Sequence, residues 1–218
     1  MCDVHDVLHG DTAAAGEDEF ILDTARVRAF IHEAREAIAH TSSAVEACAR
    51  IEPSFTSLLA DEDWLPSEYQ QDAPESGMGG GIGQWLLFRS HDRSLCLFSL
   101  VVPPGAMTPI HDHLAWGIIG LYRGSQDEEF YHPGNGTIGA GRRRPLKPGD
   151  HYILLPPTDD VHRVRTTSEK TSVSIHLLAN DTGCIERHTF DETTGEARPF
   201  VSGYVNAKCP AEPTPDCA

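Results

Sequence analysis

Gly105-Ala-Met-Thr-Pro-Ile-His111-Asp-His113-Leu-Ala-Trp-Gly117-Ile-Ile-Gly-Leu-Tyr-Arg-Gly124 is the stretch on which the reading of this chain turns. Side chains two apart on a strand point to the same face, so His111 and His113 can meet one ion. A third histidine from a later strand would complete the set, and His162 is placed to do so. Three neutral imidazoles suit a borderline transition metal such as Fe, Cu, Zn or Ni, and not Mg or Ca. Pro103-Pro104-Gly105 ahead of the pair and the apolar run after it mark a turn entering a sheet, not an exposed loop.

After Gln84, short runs rich in Leu, Ile, Val, Phe and Tyr alternate with Pro, Gly and Asp. The clearest are 85–88, 95–102, 117–122, 152–155, 161–165 and 173–178. Strands at this spacing predict a closed sandwich or barrel. Upstream, Val27, Phe30, Ile31, Ala34 and Ile38 recur at helical spacing behind Thr24, a candidate N-cap. Val45, Cys48 and Ile51 predict a second helix, and Phe55, Leu58 and Leu59 a third entered at Pro53. These stripes predict helices packed outside the barrel. The glycine-rich segment 72–83 reads as a flexible connection, since neither a P-loop lysine nor a preceding strand is present.

The stretch 105–124 follows the pattern G-x5-H-x-H-x3-G-x6-G, which resembles the first cupin motif. Gly149-Asp150, Leu154-Leu155-Pro156-Pro157 and His162 resemble the second, with Thr158 in place of a glycine and longer spacers. Most cupins carry a ligand glutamate where Gly117 stands. A cupin with three histidines and no such Glu resembles the thiol dioxygenases, the group of cysteine dioxygenase and 3-mercaptopropionate dioxygenase. Thr108 to Gly124 and Arg198-Pro-Phe-Val-Ser-Gly-Tyr204 are similar to the bacterial 3-mercaptopropionate branch. The similarity covers roughly residues 80–205.

The resemblance implies a mainly β chain, a cupin double-stranded β-helix or jelly-roll barrel with N-terminal α-helices outside. It implies one Fe(II) held by His111, His113 and His162, with O2 as co-substrate. In that family a Ser-x-His-x-Tyr run forms a hydrogen-bond chain beside the iron. Here it reads Ser174-Ile-His176-Leu-Leu178, so the Tyr is replaced by Leu178. Tyr69, Tyr131 and Tyr204 are candidates to compensate. Arg187 falls where the branch places its carboxylate-binding arginine, while Leu178, Trp116 and Ile118 are further candidate substrate contacts. For Trp116 and Ile118, core packing is the competing explanation. Ile118 and Leu178 also stand at the positions of the Cys–Tyr crosslink of some cysteine dioxygenases, which this chain therefore cannot form.

The activity implied is non-haem iron oxidation of the sulfur of a small thiol or thione carboxylate to a sulfinate. Two other classes remain open: a metal-dependent cupin isomerase or hydrolase, and a non-catalytic cupin that binds a small ligand. Ser174 and His176 share one strand face, and are expected near the metal if that face is the lumen. Asp112, between two ligands, is expected to point away, into a turn or surface contact. His132, His151 and His188 lack ligand spacing and are expected at the surface or behind the ligands.

The 218 residues carry 33 Asp and Glu against 17 Lys and Arg. That balance argues against nucleic acid or an anionic membrane as partner. Arg142-Arg143-Arg144, alone in an acidic chain, reads as a solvated hairpin turn. No apolar run reaches the ~18 residues a membrane span needs, and no basic segment precedes an apolar stretch, so a cytoplasmic protein is expected. The six cysteines show no C-x2-C spacing. Cys96 is expected to be a buried small hydrophobe, and Cys209 and Cys217 to be unpaired. The expected organisation is disorder over 1–19, helices over 20–72, barrel over 84–205 and a flexible tail over 206–218. One compact unit spans 20–205, as a monomer or homodimer.

Overall fold

The computed structural model describes residues 17–134 and 137–209. The expectations for residues 1–16 and 210–218, with Cys2 and Cys217, lie outside the described residues. Helix α1 (Ala25–Ala39) starts at Thr24, whose Oγ1 accepts from Val27 N at 3.2 Å, as the sequence predicted. Helix α2 (Ala44–Ala60) starts at Ser43, whose Oγ accepts from Glu46 N at 3.1 Å. The two helices expected on either side of Pro53 are therefore one. Pro53 removes a single backbone donor, a cost of about 3 kcal/mol in a helix interior. Ile51, Phe55, Leu58 and Leu59, buried before and after it, offset that cost.

The strands are β1 (Glu19–Phe20), β2 (Gly83–Arg89), β3 (Cys96–Val102), β4 (Ile110–His111), β5 (Gly117–Arg123) and β6 (Gln126–Gly134). They continue with β7 (Thr137–Leu146), β8 (His151–Leu154), β9 (His162–Thr166), β10 (Ser172–Leu178), β11 (Arg187–Phe190) and β12 (Ala197–Phe200). They form two six-stranded antiparallel sheets, ordered β1-β2-β3-β10-β5-β8 and β12-β11-β4-β9-β6-β7. Chain-distant strands lie side by side in both, as in a double-stranded β-helix. Glu19 and Phe20 pair with Arg89 and Phe88, so the end of the segment expected to be disordered is a strand.

Period-two alternation divides the first sheet. Leu97, Val101, Ile118, Tyr122, Val173, Ile175 and Leu177 pack with α1 and α2, burying the helices' apolar stripes. Phe98, Leu100, Ile119, Leu121, Tyr152, Leu154 and Leu178 face the other way, into the barrel interior with Phe130 and Val164 of the second sheet. The segment 72–83 turns tightly: Gly79, Gly80 and Gly81 have φ of 73°, 61° and 77°, and Ala73 N donates to Gly81 O at 2.8 Å. Three successive left-handed residues account for the glycine run.

The arginine cluster is not a turn. Arg142, Arg143 and Arg144 lie within β7, where Arg143 pairs across from Glu129 and Arg144 from Glu128. Opposite charges alternate across this hairpin, which hides both strands from a reading based on apolar residues. Cys209 is also not free, because it forms a disulfide with Cys184. No helix among the described residues is long and apolar enough to cross a membrane.

Candidate metal centre

β4 and β9 pair with His111 directly opposite His162, and His113 follows two residues after His111. The coordinating nitrogens of His111, His113 and His162 all lie within 4.8 Å of one another. Their ring centroids are 4.8–4.9 Å apart, and all three side chains are buried. Every Nδ1 faces an oxygen acceptor. His111 Nδ1 lies 2.9 Å from Pro109 O, and His113 Nδ1 3.2 Å from Asp160 O and 3.3 Å from Asp160 Oδ1. His162 Nδ1 lies 2.6 Å from a carboxylate oxygen of Glu128. For His111 and His113 these acceptors require Nδ1 to carry the proton, which leaves their Nε2 lone pairs free, while His162 Nδ1 also lies 3.3 Å from the Tyr152 hydroxyl. His162 Nε2 is buried with no partner, an orphan that a metal ion would satisfy. Burial, then the neighbouring imidazoles and Arg187, hold His111 and His113 well below the usual histidine range. Both are neutral at pH 7, as ligands must be. The residues fit a histidine-preferring transition metal.

Asp160 and Asp112 brace the loop between the ligands. Asp160 accepts His113 N at 2.9 Å and Leu114 N at 3.1 Å, which pins Leu114 at a φ of 53°. Asp112 is buried and not a surface contact. Its carboxylate accepts both N and Nδ1 of His188 at 2.7 Å, and its backbone oxygen accepts Arg187 Nη1 at 2.7 Å.

Ser174 and His176 point into the interior. Ser174 Oγ lies 2.9 Å from His176 Nε2, and the His176 ring stacks on Phe98 at 4.6 Å. His176 Nδ1 is buried without a partner. Leu178 shares that face and fills the space beside Gly117, where an added Cβ would meet Leu178 Cδ2 at 2.8 Å and collide with Leu177 O. No side chain can enter there to ligate.

Arg187 is 2 % exposed. It donates through Nε to Thr182 O at 2.9 Å, through Nη1 to Asp112 O, and through Nη2 to Ser202 Oγ at 2.8 Å. Three of the five guanidinium N–H groups are thus used, all on neutral acceptors, and no ion pair to Arg187 forms among the described residues. Burial lowers its pKa to about 10, which still leaves it charged at pH 7. A cleft of about 390 Å³ between residues 72–78 and 202–205 reaches Ser202 and Tyr204, the residues behind which Arg187 and Phe98 lie.

Trp116 and Ile118 belong to the layer facing the helices and not to the barrel interior, with Ile118 buried in that core and Trp116 partly buried where it lines a cleft of about 400 Å³ with Arg35, Ile38 and Leu95. Of the candidate replacement tyrosines, Tyr69 packs on Trp85 on the helix side and Tyr131 donates to Glu129. Tyr204 alone approaches the interior, with its ring 6.0 Å from Phe98 and its hydroxyl bonded to Asp181. Sequence reasoning missed Glu128, Tyr152 and Asp160. Tyr152 OH donates to Glu128 Oε2 at 3.2 Å, behind His162.

No family model matches the chain. Among solved structures it is similar to Peruvianin-I, a cysteine peptidase from Thevetia peruviana latex, at 18% identity over 56% of this chain and 74% of that one, with a TM-score of 0.42. It is also similar to an uncharacterized double-stranded β-helix protein from Klebsiella pneumoniae, at 19% identity over 53% and 86%, TM-score 0.38. A cupin 2 domain-containing protein from Halorhodospira halophila aligns at 14% identity over 55% and 69%, TM-score 0.36. The fold is a cupin fold. It combines the two-sheet strand order with helices on one outer face and a three-histidine cluster in the interior.

Proposed function

We propose that this chain is a non-haem Fe(II) dioxygenase that oxidises the sulfur of a small thiol or thione carboxylate to a sulfinate. The observation that carries the proposal is a buried, charged Arg187 with no ion-pair partner among the described residues, in the same interior as the three clustered histidines, of which His162 has a buried Nε2 without a partner. A buried charge without a counter-ion is costly, and a substrate carboxylate would supply one. Bound iron would supply the point at which sulfur and dioxygen meet within reacting distance. The reaction balances without an external reductant: RS⁻ + O2 gives RSO2⁻, the sulfur losing four electrons and O2 gaining four.

The chain's own residues orient and shelter the substrate. Arg187 offers its remaining N–H groups to the carboxylate. Leu178 and Phe98 keep water from the interior, and the hydrogen bond between Ser174 Oγ and His176 Nε2 fixes the His176 ring against Phe98 on that face.

The test is oxygen uptake by Fe(II)-loaded protein with cysteine, 3-mercaptopropionate, mercaptosuccinate, cysteamine and a thioimidazole, with sulfinate read by mass spectrometry. Uptake is expected with at least one carboxylate-bearing compound, and His113→Ala is expected to lose iron and turnover together. No uptake with stoichiometric iron, or full activity in His113→Ala, would overturn the proposal.

A further inference from the structure

We propose that Glu128 is a positioning residue of the three-histidine centre, holding His162 as an Nε2 ligand and placing a negative charge behind it. This rests on reading the histidines as a metal centre, not on the sulfur chemistry.

Glu128 lies in β6, beside β9, and is fully buried. One carboxylate oxygen, Oε2, lies 2.6 Å from His162 Nδ1 and accepts from Tyr152 OH at 3.2 Å, and the same hydroxyl lies 3.3 Å from His162 Nδ1. The other, Oε1, is buried with no partner. Among the described residues no Lys or Arg forms an ion pair with it: Arg144, its register partner on β7, lies over the Tyr152 ring instead, and His162 is the one potentially cationic side chain within ion-pair distance. A carboxylate in that setting costs several kcal/mol, and glutamine or leucine would fill the same volume at lower cost. Packing therefore does not explain a glutamate here.

A divalent ion does. Three imidazoles bring no charge to offset it, and Gly117 cannot carry a carboxylate because its Cβ would strike Leu177 O. The charge sits one layer out instead, on Glu128 behind His162, as Asp160 sits behind His113. A carboxylate this close to Nδ1 favours the proton on that nitrogen, which leaves the unpartnered Nε2 with a lone pair for the ion. Tyr152 holds Glu128 in place through the bond to the same oxygen, with its hydroxyl also 3.3 Å from His162 Nδ1.

The experiment is chelator competition with Co(II) on the wild-type protein, Glu128→Gln and Tyr152→Phe, with thermal melts of each with and without the metal. Glu128→Gln keeps the shape and is expected to bind Co(II) about 10–100-fold more weakly. Its metal-free form is expected to melt at or above the wild-type temperature, while the rise on adding Co(II) shrinks and the visible Co(II) bands shift. Tyr152→Phe should weaken binding by a smaller factor in the same direction. Unchanged affinity and spectrum in Glu128→Gln would overturn the proposal. So would a metal-free Glu128→Gln that melts lower by as much as its metal-bound form, the mark of a purely structural role. Weakened Co(II) binding supports it even if no sulfur compound is turned over, which would overturn only the dioxygenase reading.

Discussion

Arg187 Nη1 donates at 2.7 Å to the backbone oxygen of Asp112, the residue between His111 and His113. The guanidinium is thereby fixed relative to two of the three histidines, and under the proposed function a substrate carboxylate held there would present its far end at a set distance from them. Arg187→Lys retains the charge but loses the planar fork. At about 1.5–3 kcal/mol for a hydrogen bond to a charged group, kcat/KM for a carboxylate thiol should fall roughly 10–100-fold, with iron content unchanged. Steady-state kinetics beside metal analysis checks this; unchanged kinetics would remove the anchoring role.

The buried histidines predict an acid-sensitive metal-free protein. Burial holds His111, His113 and His176 well below 6.5 in the folded state. Once unfolded they take up protons near pH 6.5, so below that pH the unfolded chain binds more protons and stability falls as pH falls. With three such groups the slope reaches at most about 4 kcal/mol per pH unit. Urea unfolding of the metal-free protein at pH 7.5, 6 and 5 should show a steep fall. A flat profile would contradict the buried, neutral histidines.

Gly117→Ala should disrupt the barrel. The new Cβ would strike Leu177 O on the neighbouring strand and lie 2.8 Å from Leu178 Cδ2. Overpacking of this kind costs about 1–3 kcal/mol or more. Gly117→Glu should likewise lower the melting temperature without creating a fourth ligand. A Gly117→Glu protein of wild-type stability that binds metal more tightly would show the strand can give way.

The fold and the three histidines were legible because both follow from period two. Alternation marks the apolar strands, and the i, i+2 spacing puts His111 and His113 together. Alternation also puts Trp116, Ile118 and Tyr122 on one face. It could not say which face meets the metal, because the histidines sit on other strands. Glu128 and Asp160 were not legible, since their partners come from β9 and from the loop after β4, brought together only by pairing. The β6–β7 hairpin is hidden because charged residues stand opposite one another there in place of apolar ones, and the continuity of α2 is hidden by Pro53, a residue more common at a helix start than inside a helix.

The Cys184–Cys209 disulfide closes a loop with a sequence separation of 25 residues, over which Ser202 reaches Arg187 and Tyr204 reaches Asp181. Loop-closure entropy puts its contribution at about 3.5 kcal/mol. Cys209→Ser should lower the melting temperature, and a dithiol reductant should do the same to the wild-type protein but not to the variant. Equal melting temperatures would show the bridge contributes no stability.

The central claim is that both atoms of dioxygen end on the sulfur of a substrate held beside His111, His113 and His162. Turnover of the carboxylate thiol under ¹⁸O2 in ordinary water, followed by mass spectrometry, tests it most directly. The account predicts a sulfinate in which both oxygens carry the label. A product with oxygen drawn from water, or a consumed substrate without sulfinate, would contradict it.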